Sequence, residues 1–70
     1  MRFAILLEPT KIGFSAHVPD LPGCVATGDT VQEAEQLLRE AIELHVAGLR
    51  EDGVPEPEPS SVVDYLELSA

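Results

Sequence analysis

Seventy residues make one small domain, 1–70, of a size that buries only about 60% of the surface its unfolded chain exposes, so a partner or a second copy is an expected source of stability. Thirteen acids against four bases give a net charge of −9, which argues against direct binding to DNA or RNA phosphates and suits a basic protein partner. A lone cysteine, Cys24, excludes an internal disulfide and fits a cytoplasmic setting, and no apolar run has the length of a signal-peptide core or a membrane span.

The apolar share, 44%, is enough for a core. "RFAILLE" (2–8) reads as a strand, too short and too close to Pro9 for a helix. "PTKIG" turns the chain, with Gly13 free to take a positive φ. "FSAHV" (14–18) alternates, with Phe14, Ala16 and Val18 on one face and Ser15 and His17 on the other. It is expected to pair antiparallel with the first strand until Pro19, which lacks an N–H, closes it.

"PDLPGC" (19–24) follows. Pro22 presets φ for position i+1 of a type II turn, and Gly23 supplies the positive φ at i+2. Asp20 can accept backbone N–H groups two residues on, and Leu21 is expected against the core. "CVAT" (24–27) reads as a short third strand before Gly28.

"GDTVQEAEQLLREAIELHVAGLREDG" carries a helix of about 20 residues, ~30 Å long. Thr30 and Glu33 form a capping box, and Asp29, Glu33 and Glu35 lie near the positive end of the helix dipole. Ala34, Leu37, Leu38, Ala41, Ile42, His45 and Leu49 recur as one apolar stripe at the helical period. Gln32, Gln36, Arg39, Glu43 and Arg50 lie opposite, with Glu40 beside them. Gly53 and Pro55 end the helix. "VPEPEPS" is a stiff connector of the polyproline type, and "SVVDYLEL" (61–68) reads as a fourth strand.

The order β-β-β-α-β defines an α+β fold, a four-stranded sheet with one long helix packed on one face. The first and last strands are apolar on both faces, the pattern of strands covered on both sides. The second sheet face is therefore expected to meet another protein surface, with a symmetric dimer as the default and a tetramer open.

Catalysis finds little support in the residues. Cys24 as a nucleophile needs a base, and only His17 could come near it across the turn. His17, Asp20, Cys24 and His45 have no familiar metal-ligand spacing. His45, on the apolar stripe, reads as a packed histidine. A two-metal nuclease needs convergent carboxylates, and the first strand reads Ala4-Ile5-Leu6 where an acid should project, leaving Asp64 alone to hold the metals. No cofactor is expected, and the chain reads as a non-enzyme.

Pro19-Asp20-Leu21-Pro22-Gly23-Cys24, then Gly28-Asp29-Thr30, Glu33-Ala34, a long helix and "DGVPEP" together resemble the HicB family of type II antitoxins over residues 1 to about 60. The resemblance implies the HicB N-terminal-type domain, a truncated RNase H-like fold without RNase activity. It also implies a partner, a small basic HicA-like toxin that cleaves mRNA and is neutralised by occlusion. Family antitoxins usually continue into a helix-turn-helix or ribbon-helix-helix segment that binds their operator. The chain stops at Ala70, so the expectation is one HicB-like domain with no C-terminal DNA-binding segment.

For a toxin-binding surface the acids to choose are Asp20, Asp29, Glu33, Glu40 and Glu43, with the 19–24 turn shaping the surface. The alternative is a solitary homo-oligomeric module that binds a small ligand or a non-toxin regulator in a pocket near His17, Cys24 and His45.

Overall fold

The computed structural model describes residues 1–69. Three antiparallel strands, β1 (Leu6–Pro9), β2 (Phe14–His17) and β3 (Val25–Gly28), form a sheet in the order β1-β2-β3, followed by one helix, α1 (Val31–Glu51). The α+β class and the single long helix are as expected. The register sets Leu7 against Ala16 and Ala16 against Ala26, and in the next row Leu6 against His17 and His17 against Val25. Because successive strand side chains alternate in direction, the first row faces α1 and the second faces away. Ala16, Val18, Leu21, Cys24, Ala34 and Leu38 make the buried core, with Phe3, Ile5, Leu7, Phe14, Ala26 and Ile42 packed around it.

The first strand begins later than residue 2, and its reason lies in β2. Extending the observed register would set Ile5 opposite Val18 and Ala4 opposite Pro19, and Pro19 has no N–H to continue a ladder. Residues 1–5 instead lay Phe3 and Ile5 against the core without strand pairing. Gly13 also has a different role from the one expected. Among the described residues only Gly23 and Gly53 have positive φ. At Gly13 it is space that excludes a side chain, since a Cβ there would collide with the Gly28 carbonyl oxygen and approach Asp29 Cα to 2.9 Å. The β1–β2 turn can close on the start of the helix because nothing stands between them.

The Thr30 hydroxyl caps α1, accepting the Glu33 N–H at 3.1 Å. The Glu33 carboxylate reaches back to the Asp29 N–H at 3.4 Å, one residue upstream of the usual capping-box pair. At the other end Gly53 N–H donates to the Arg50 carbonyl and Val54 N–H to the Leu49 carbonyl, a Schellman closure.

The buried side of α1 is narrower than the stripe in the sequence. Ala34, Leu38 and Val46 are buried and Ile42 is partly so, whereas Leu37 is 41% exposed and His45 is exposed. Four-residue strands are about 13 Å long, while the 21 residues of α1 reach about 32 Å. The helix therefore overhangs the sheet. The apolar side of its later half packs on residues near the start of the chain, and contact follows the Leu38–Ile42–Val46 ridge away from His45. His45 is accordingly a surface residue, not a packed one.

The expected fourth strand is not formed among the described residues. Residues 61–69 carry no strand pairing, and Val62, Tyr65, Leu66 and Leu68 are each at least 88% exposed. A strand needs a ladder partner as well as suitable residues, and the hydrogen bonds that hold this segment stop at Ser61.

Candidate functional site

The 19–24 turn is built by three backbone bonds. Leu21 N–H donates to the Val18 carbonyl at 3.1 Å, Cys24 N–H to the Leu21 carbonyl at 3.0 Å, and Val18 N–H to the Cys24 carbonyl at 3.2 Å. Pro22 occupies i+1 and Gly23 takes φ +89° at i+2, the sign a type II turn requires. Leu21 is driven inward to 1% exposure, as its place in the sequence suggests.

Asp20 behaves differently from the expected local turn. Its carboxylate accepts the backbone N–H groups of Ser60 and Ser61, each at 2.9 Å, and both serine hydroxyls, Ser61 Oγ at 2.6 Å. These bonds, led by the Ser61 hydroxyl, lower its pKa from 3.8 to about 2. Bonds to the ionised form favour that form. Asp20 is thus an anchor for the segment that follows the helix. Sequence alone pairs it with nearby amides, since nothing local announces partners 40 residues away.

Cys24 and His17 do not form a reactive pair. Cys24 belongs to the buried row with Ala16 and Val18, while His17 stands in the opposite row with Leu6 and Val25. Burial raises the Cys24 pKa, which suppresses the nucleophilic thiolate. His45 lies on the exposed part of α1, apart from both. Among the described residues there is no cluster of three or more His, Cys, Asp or Glu placed to hold a metal ion. The main hollows are lined by other residues, chiefly Phe3, Ile5, Leu38 and Ile42 in one and Ile12, Phe14 and Thr27 in another. Among the described residues His17 and Cys24 thus lie on opposite faces of the sheet and His45 on the exposed side of α1, so the three are not brought together.

The acids chosen from the sequence fall into two groups. Asp29 and Glu33 stand at the start of α1, and Glu40 lies farther along its outer side with Glu43 beside it, all exposed. Asp20 stands apart, engaged with the serines. Sequence reasoning passed over what lies between the helix acids. Leu37 and Leu44 are 41% and 76% exposed and alternate with Glu33, Glu40 and Glu51 at helical spacing on one outward ridge. The available signal is a second apolar line, Leu37 and Leu44 seven residues apart, out of phase with Ala34, Leu38 and Ile42. No helix of the described residues is long and apolar enough to cross a membrane.

Comparison with known proteins places this arrangement. Residues 3–69 match the model of the HicB-like antitoxin of bacterial toxin–antitoxin systems. An uncharacterised 14.9 kDa protein from the rep–hol intergenic region of Haemophilus phage HP1 is 36% identical over 94% of the chain, which spans only half of that relative. A UPF0150 protein of Synechocystis is 37% identical over 96% of the chain and 86% of the relative, and one from Helicobacter pylori is 40% identical over 74% and 72%. Among solved structures, a chain of a HicA3 and HicB3 toxin–antitoxin complex superposes with a TM-score of 0.69 and 30% identity, covering 84% of this chain and 70% of that one. The chain belongs to the HicB-like antitoxin family of bacterial toxin–antitoxin systems.

Proposed function

We propose that this protein neutralises a small basic toxin of the HicA kind by covering its active surface, without itself catalysing a reaction. The observation that carries the reading is the likeness, at a TM-score of 0.69, to a chain solved in a HicA3 and HicB3 complex. The outer ridge of α1 supplies a matching surface. Leu37 and Leu44 offer apolar anchors, and Asp29, Glu33, Glu40 and Glu43 surround them with negative charge. Interfaces of this kind take affinity from a few desolvated anchors, while charge around them steers encounter. A net charge of −9 favours approach of a basic protein. Occlusion asks for no reacting group, in keeping with a buried Cys24 whose thiol is held protonated.

The test is co-purification with the product of an adjacent reading frame encoding a small basic protein, followed by titration calorimetry. Leu44→Arg is expected to weaken the complex by about 2 kcal/mol or more and Glu40→Lys by less, with Glu58→Lys as the neutral control. Absence of a complex at micromolar concentration overturns the reading. A complex indifferent to Leu44→Arg moves the interface elsewhere.

A further inference from the structure

We infer that residues 62–69 form an exchange arm, which pairs with the outer edge of β1 in a second copy of this chain while that copy's arm returns the contact. The inference concerns the protein by itself and holds or fails without any toxin.

The arm has the composition of a strand and the exposure of one lacking its ladder. Val62, Tyr65, Leu66 and Leu68 are 88–91% exposed, and Val63 is 42% exposed. A segment apolar on both faces suits a strand covered on both sides. A place for it exists, because the order β1-β2-β3 leaves the outer edge of β1 unpaired among the described residues, and such an edge templates an added strand.

The arm begins beside the segment that leads into β1 and then leaves it. Ser61, Val62 and Val63 line one hollow with Arg2, Phe3 and Ala4, yet beyond it the side chains stand in solvent. Asp20 fixes the exit by holding Ser60 and Ser61. The Pro-rich connector before it is stiff, and the Arg50–Glu56 ion pair ties it to the end of α1. A short, constrained hinge favours exchange between copies over folding back.

Arg2 lines the hollow with the first residues of the arm, and the arm carries Asp64 and Glu67, so a base beside the segment that leads into β1 offsets part of the repulsion between two chains of net charge −9. Both halves of the contact are present in one chain, so the exchange closes as a two-fold dimer.

Two measurements on the full chain test this. In a Cys24→Ser background, Leu66→Cys is combined in separate variants with Leu6→Cys or Glu8→Cys and oxidised. Cross-linked dimer on a non-reducing gel is expected from at least one variant. Internally linked monomer, which would mean that the arm serves its own edge, overturns the inference, as does no link in either. By sedimentation, the unmodified chain should be a dimer at micromolar concentration. The double variant Leu66→Asp, Leu68→Asp should raise the dissociation constant at least ~tenfold with unchanged helical circular dichroism. A monomeric parent chain, or a variant whose dissociation constant is unchanged, overturns it.

Discussion

Two proline-bearing stretches of this chain meet opposite fates. In "PDLPGC" the backbone closes on itself through three hydrogen bonds and drives Leu21 and Cys24 into the core. In "VPEPEPSSVVDYLEL" the chain is tied by one carboxylate and one ion pair, and its apolar side chains stay in water. The difference does not lie in hydrophobicity, since both stretches contain leucine and the exposed one is the richer in apolar residues. It lies in whether the surface that buries them is already in place. The turn sits between two paired strands and under a helix, while the arm reaches beyond the body of the molecule.

The sharpest way to break the comparison is at the helix side of the first stretch. Leu38 is 1% exposed and packs in the same core as Leu21, so Leu38→Asp would bury an unpaired carboxylate. The loss is expected to exceed about 4 kcal/mol, enough to unfold a domain of this size. The loss of helical circular dichroism checks it, and an unmoved melting temperature would mean the helix is packed by another face. Leu21→Ala comes next. It should cost about 2–5 kcal/mol, read from denaturant midpoints, although the residue sits in a turn; Leu66→Ala, equally apolar but in the arm, should leave the midpoint of the monomer almost unmoved.

The smallest effect belongs to Asp20. Asp20→Ala should raise amide exchange at Ser60 and Ser61 while exchange in α1 stays as it was. Acid should likewise lower the protection of these two amides in the native protein. With the folded pKa at about 2 against an ordinary 3.8, the anchor is fully present above pH 3.8 and is lost as pH falls through about 2. Protection of the two serine amides, taken relative to their intrinsic exchange at each pH, followed across that window checks the sign. If that protection did not fall on acidification, the carboxylate would not be the group that holds the arm.

The same contrast explains what could be read from sequence. Thr30 and Glu33 announced the helix start, and Pro22-Gly23 announced the turn, because their partners lie within four residues. The α+β class followed from these local signals together with the alternation in residues 14–18. His45 was misplaced because periodicity describes the helix alone, while burial depends on where a short sheet ends beneath it. The fourth strand was misplaced because β propensity does not say where a ladder partner is. Of the candidate site, the helix acids were legible as charges. The leucines between them were not, since Leu37 and Leu44 become notable only when the packed side of α1 is known.

The Asp20 anchor has a consequence for the order of folding. The three strands and the helix are joined by short connections, and loops of this kind close quickly. The bonds from Asp20 to Ser60 and Ser61 must instead close a stretch of about 40 residues, and that closure carries a larger entropy cost. During synthesis Asp20 and the whole of α1 leave the ribosome before either serine does. The domain can therefore be assembled while the arm is still unattached, and the arm's apolar residues are the last to be committed to a neighbour.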